Sequence, residues 1–162
     1  MPIYMNIPGL QGESQSRGHE NWFDVFSFSW GVSNPRGTDG GGGGGAGRAS
    51  FSDLSIMKQG GKSSPLLMLA CARGQLLPAV QLEVTVPRGE NGDTVFQRYV
   101  LSDCMITSYE DAGDGSVVPT ESLSLNFTKI DFTQHFFNND GLDSTQEAFW
   151  DIRRNTGGVG GG

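Results

Sequence analysis

Two imidazoles, two thiols and a scatter of carboxylates are the groups in this chain that could run chemistry at neutral pH. A serine or cysteine nucleophile needs a base and an orienting acid. The bases on offer are His19, in a polar Gly/Ser-rich stretch, and His135, at the end of an alternating run. Neither sits beside a nucleophile motif, so both read as surface side chains and no catalytic residue is assigned. Cys71 and Cys104 are too few and too far apart for a disulfide framework or a zinc motif, and read as small buried apolar side chains. Asp111, Asp114 and Gly115 resemble the start of a calcium loop, but the further acids and the closing Glu are missing at that spacing, which leaves a turn.

Two stretches imitate phosphate-binding loops. Gly42, Gly44 and Gly47 satisfy G-x-G-x-x-G, yet inside a run of glycines the match is automatic, and Ala49 to Lys58 reads as strand where the dinucleotide fingerprint requires a helix. Gly61-Lys62-Ser63 copies the tail of a P-loop, but the motif's first glycine would fall on Ile56. A helix cap explains it better. No metal and no cofactor is expected, and the sequence predicts no enzyme.

The elements that would position these groups are mostly strands. The chain has 162 residues, one domain's length, and 25 glycines against an ordinary usage of roughly 7%. Seven of the eight residues 40–47 and five of the six residues 157–162 are glycine. The net charge of −7, with 11 basic residues spread singly or in pairs, gives no cationic stripe for nucleic acid. No apolar run approaches the 18 residues of a membrane helix, so no membrane insertion is expected. The start lacks the basic and apolar regions of a signal peptide, which predicts folding in the cytoplasm.

The dominant period is two. Trp22, Phe26, Phe28 and Trp30 predict the packed face of one strand over Trp22 to Ser33, with Val25, Ser27, Ser29 and Gly31 on its sparse face. Val80, Leu82, Val84 and Val86 alternate with polar residues and predict a half-solvated strand ending at Pro87, with Thr94 to Leu101 as hairpin partner. Cys104 to Glu110 continues it after an interruption at Ser102-Asp103. Ser50 to Lys58 predicts a strand with Leu54 and Ile56 on one face. Leu123, Leu125 and Phe127 alternate, then Ile130 and Phe132 resume out of phase, which predicts a bulge or a sharp change of packing near Thr128-Lys129. Phe149 to Ile152 reads as a short final strand. One short helix stands out, residues 65–73, with a hydroxyl cap from Ser63-Ser64, Pro65 at its first turn and Gly74 at its stop. The fold class is mainly β: a two-sheet β-barrel with one short flanking α-helix. Residues 1–155 form a single domain with an extended glycine loop over 34–47, and residues 156–162 are expected to be a disordered tail.

Long strands and a modest supply of large apolar side chains leave sheet edges to be covered. A closed ring of copies is one solution. A soluble β-sandwich binding module, lectin-like or carrying a small molecule under a mobile glycine lid, is the alternative.

The order of motifs favours the ring over that alternative. Phe26-Ser-Phe-Ser-Trp-Gly31, the glycines 40–47, Phe51-Ser-Asp-Leu-Ser-Ile-Met-Lys58, and Lys62-Ser-Ser-Pro-Leu-Leu-Met-Leu-Ala-Cys-Ala-Arg-Gly74 closely resemble the haemolysin-coregulated protein (Hcp) family of type VI secretion systems. Met5 to Glu13, Leu123 to Phe127 and Trp150 to Arg153 extend the likeness over about residues 3–155. The resemblance implies a homohexameric ring that stacks into the inner tube of a contractile injection machine. It implies export from the cytoplasm without a signal peptide, with a spike protein and a sheath as partners and effectors held or chaperoned in the lumen. Carried over by position, Ser27, Ser29 and Gly31 are candidate lumen-facing residues. Asn34, Pro35, Arg36, Gly40, Gly41, Gly42, Gly43, Gly44, Gly45 and Gly47 are the candidate ring-stacking loop.

Overall fold

The computed structural model describes residues 1–35, 48–88 and 92–161. Along the chain run β1 (Ile3–Asn6), β2 (Phe23–Val25), β3 (Ser27–Ser29), β4 (Val32–Ser33), β5 (Ser50–Phe51), β6 (Leu54–Gln59), α1 (Ser64–Ala72), β7 (Leu77–Pro87), β8 (Asp93–Ala112), β9 (Thr120–Asn126), β10 (Lys129–Asn138), β11 (Gly141–Asp151) and β12 (Thr156–Val159). The 20-residue β8 belongs to two layers. Its first half lies between β7 and β10 in the order β12-β11-β10-β8-β7-β1-β2, and its second half pairs with β9 in the order β3-β6-β9-β8. All these pairs are antiparallel. The two layers wrap one core without closing into a continuous ladder, and α1 packs against β8.

Two breaks in periodicity mark where the chain passes between layers. The interruption at Ser102-Asp103 falls on Asp103, whose φ of 49° turns the strand out of the pleat without ending it; Asp can occupy this left-handed region at modest cost. The phase shift before Ile130 is the passage from β9 to β10. At that corner the Thr128 N–H and hydroxyl both donate to the Ser102 carbonyl, at 3.0 and 3.1 Å. Phe127 and Ile130 are both buried, so the odd spacing keeps each side chain inside while the sheet changes.

Other expectations need correction. Trp22 to Ser33 is not one strand but three short ones, and the phase slips at Phe26, which is 56% exposed, while Phe23 and Val25 are buried. The Phe26 N–H bonds to the Met57 carbonyl at 2.8 Å, so the chain steps there from β1's layer to β6's. Strand β7 is not half-solvated, because Glu83 and Thr85 are buried beneath the N-terminal segment. Thr85 donates from N–H and hydroxyl to the Pro2 carbonyl, both at 2.9 Å. His19 is not a surface residue; its Nε2 lies 2.7 Å from Glu83 Oε1, and its ring stacks on Tyr4 at 4.3 Å with Trp22 edge-on at 4.7 Å. Glu83 also accepts from Arg98. These contacts pin the segment between β1 and β2 over the outer face of the larger sheet.

Helix α1 matches the predicted span within one residue, but its cap works differently. The Ser63 hydroxyl donates to the Gln11 carbonyl at 2.5 Å and makes no cap. The Glu13 carboxylate instead accepts the Lys62 N–H at 2.6 Å, and the Ser64 hydroxyl accepts the Gly61 N–H at 2.8 Å. An internal anion thus serves the helix start that imitated a phosphate loop. Near the C-terminus, β11 runs 11 residues in a hairpin with β10 where only a short strand was expected. Nor are residues 156–159 disordered: they form β12 on the edge of β11. Glycine is required there, since a Cβ at Gly157 would overlap the Phe149 carbonyl and the Trp150 ring.

Candidate functional site

The smaller sheet carries an outer face of hydroxyls. Ser27 and Ser29 lie exposed on β3, while Phe28 between them turns inward to meet Tyr99 edge-on at 5.7 Å. Cross-strand register extends this face over the whole sheet: Ser29 pairs with Ser55 on β6, Ser55 with Ser124 on β9, and Ser124 with Ser108 on β8. Four serines therefore form one row across four strands. In the next row Ser27, Met57, Ser122 and Glu110 are partners in the same sense. Gly31 follows β3 on the exposed side and donates its N–H to the Ser52 hydroxyl at 2.8 Å.

The face is set by what lies behind it. On β6, Leu54, Ile56 and Lys58 are buried while Ser55 and Gln59 face out; on β9, Glu121, Leu123 and Leu125 are buried. Side chains alternate across a strand, so burying these residues forces the intervening serines outward. Ser55, Ser108, Ser122 and Ser124 were not among the candidate residues. Their signal was the polar half of the Leu-Ser and Ser-Leu alternation, whose apolar half alone was read as informative.

A buried polar group anchors this sheet from inside. Lys58 and Glu121, directly opposed across β6 and β9, form an ion pair, and Lys58 Nζ also donates to the Gln59 carbonyl at 2.8 Å and stands 5.2 Å from the Phe23 ring. The Tyr109 hydroxyl donates to the second Glu121 oxygen. Burial alone would push the Glu121 carboxyl up, but hydrogen bonds from Lys58, Ser64 and Tyr109 and the charge of Lys58 hold it below the usual carboxylate range. Burial and then the Glu121 carboxylate push the Tyr109 phenol up.

This arrangement offers hydrogen-bonding surface and no assembled catalytic group. His19 is bound to Glu83 behind the other sheet, and His135 on β10 bonds to Thr145 Oγ1 at 2.9 Å, so neither imidazole stands on the serine face. Among the described residues no three His, Cys, Asp or Glu side chains gather as metal ligands. Both cysteines are free. Among the described residues no helix is long and apolar enough to cross a membrane. Of the candidate stacking loop, Asn34 and Pro35 are exposed beyond β4; Arg36 and Gly40 to Gly47 lie outside the described residues.

Around the serine face the surface turns apolar. Leu66, Met68 and Leu69 on α1 are 48%, 51% and 39% exposed, and Leu76 and Met105 stand out nearby in the fold. Only Leu67 and Ala70 of the helix are buried. A nine-residue helix that leaves this much apolar surface in water has a face to cover.

Comparison with known proteins identifies the family of this fold. Residues 4–134 match the family described as "Type VI secretion system effector, Hcp". The chain is 33% identical over 156 residues to Protein hcp1 of Pseudomonas aeruginosa, covering 94% of this chain and 96% of that protein. Its fold is similar to a solved structure described as a type six secretion system protein, with a TM-score of 0.87 and 24% identity over 96% of this chain and 98% of the other. It is also similar to Hcp1 from Salmonella typhimurium, with a TM-score of 0.77, 24% identity and coverage of 96% and 97%. A mainly β chain with two layers, one short helix and these relatives belongs to the Hcp family, the secreted tube proteins of the type VI secretion system.

Proposed function

We propose that six copies of this chain close into a ring whose bore is lined by the serine face, and that rings stack into the tube propelled out of the cell. The observation that carries this reading is the unbroken row Ser29, Ser55, Ser124 and Ser108 across four strands. A bore must pass or hold protein cargo without trapping it. Short hydroxylated side chains keep such a wall wettable, and each can exchange its hydrogen bond with water for one to cargo at little net cost. Lumenal roles for Ser27, Ser29 and Gly31 follow from the same face.

The margins of the sheet supply the reason to assemble. Its edge strand β3 has only β6 beside it, and from Met105 onward β8 has only β9, among the described residues. With the exposed leucines of α1, these edges give each copy surface that a neighbour would cover. In this reading Asn34 to Gly47 reaches the next ring, the spike protein caps the tube, the sheath surrounds it, and effectors occupy the lumen. Electron microscopy of the purified chain tests it. Rings of six around a central bore are expected, and an open chain of subunits or a chain that stays single would overturn the reading.

A further inference from the structure

Two apolar surfaces of this chain lie open to water, and they differ in shape. The convex one is on α1. Leu66, Leu69 and Arg73 stand at i, i+3 and i+7 and share one exposed face, while Leu67 and Ala70 anchor the helix by burial. The concave one is on the β10–β11 hairpin. Along β10, Phe132, Gln134 and Phe136 alternate onto one side of the sheet. That side packs the core at Phe132, which meets Tyr99 at 4.5 Å and Trp30 at 6.3 Å. Further along it is bare, since Phe136 is 52% exposed. Beside Phe132 opens a mostly apolar hollow of about 160 Å³, lined by Phe132, Gln134, Gln146, Glu147 and Ala148.

The two surfaces carry opposite charges. Arg73 ends the helical face and Glu147 stands at the hollow, and among the described residues neither side chain forms an ion pair. Within one chain the surfaces lie apart. Helix α1 packs against β8 and ends near Met105, whose Sδ is 3.9 Å from where a Gly74 Cβ would stand. The hollow lies instead where Phe132 pairs with Tyr99, roughly 20 Å back along β8 at the rise of a strand. Nor does either surface suit its own copy. Helix on helix leaves both hollows open, and hollow on hollow encloses a void whose walls lack contacts.

We propose that α1 of one copy seats in the β10–β11 hollow of the next, with Leu69 against Phe132 and Ala148, Leu66 over Phe136, and Arg73 paired with Glu147. Each copy then gives one surface and receives the other, which is the heterologous contact from which a closed ring is built. The pairing rests on the six-membered ring proposed above, which does not by itself say what covers the helix.

Crosslinking in the full chain tests it. Leu69 and Ala148 are both exposed, so a cysteine at either position leaves the core intact, and Cys71→Ala removes the half-buried native thiol. Treated with a short bis-maleimide, Leu69→Cys combined with Ala148→Cys should give a ladder of covalent multimers ending at six chains on a denaturing gel, and neither cysteine alone should give any product. The reversals Arg73→Glu and Glu147→Lys should each raise the concentration for half-assembly at least tenfold, and the two together should restore it. Rings of six in native mass spectrometry without the ladder would overturn this contact and leave the ring standing, whereas absence of rings would overturn both. Covalent pairs from Leu69→Cys alone, a crosslink confined to one chain, or reversals that leave assembly unchanged would also overturn it.

Discussion

Lys58 and Glu121 face each other across the β6–β9 pair with their side chains 1% and 0% exposed, directly behind the serine face. Two charges withdrawn from water this completely hold each other in place, and a charge left alone there is costly. Lys58→Met should lower stability by about 3–5 kcal/mol, read as a fall in the urea midpoint. The double change Lys58→Met with Glu121→Leu should recover part of that loss. A single variant as stable as the wild type would show that the pair does not anchor the sheet.

The same carboxylate sets an acid limit. Glu121 is held below its ordinary value of 4.5 in the folded chain, so the unfolded chain binds its proton first as pH falls. Its contribution is present above about pH 4.5 and is lost as the pH drops through the lower folded value. Stability measured between pH 6 and pH 3 should fall less steeply in Glu121→Gln than in the wild type, although the variant is weaker at pH 6. Parallel curves would contradict the assignment.

Cys104 is inert while the chain is folded. Burial and then the neighbouring Asp103 push its thiol up to about 12, and its side chain has no exposed surface. A thiolate is the reactive form, so alkylation at pH 8 should leave Cys104 unlabelled in the native protein and modify it in 8 M urea, as peptide mass mapping would read. Native labelling at the rate of the unfolded chain would place Cys104 outside the core.

The proposed bore can be tested apart from folding, because the serine face carries little of the stability. Ser29 and Ser55 are exposed partners on β3 and β6, and surface changes of this kind usually alter stability by less than about 0.5 kcal/mol. Ser29→Trp with Ser55→Trp should leave the unfolding midpoint nearly unchanged while reducing the amount of effector that co-purifies with the chain. Full effector recovery from a folded double variant would remove the serine row from the bore.

Much of the architecture was legible because alternation reports burial directly. Residues 65–73 read as helix from Pro65 and Gly74, and the break before Ile130 read as a change of packing because a strict ladder would have turned Ile130 outward. What stayed hidden depended on partners distant in sequence. His19 looks like a loop residue until Glu83, Tyr4 and Trp22 surround it. Lys58 looks like a solvated end of Phe51 to Lys58 until Glu121 arrives from 63 residues away. The end of the chain misled for another reason: glycine richness reads as disorder, yet at Gly157 the missing side chain is what lets β12 lie against Phe149 and Trp150. The serines of β6 and β9 were visible all along, but only register aligns them with Ser29 into a row.

Native mass spectrometry of the full chain over a wide concentration range tests the central claim most directly. A chain that completes its sheet edges and covers the leucines of α1 with neighbours should give a species of six subunits that persists on dilution. Leu69→Asp, at an exposed helix position, should shift it toward folded single chains. A monomer at every concentration of the wild type would contradict the ring.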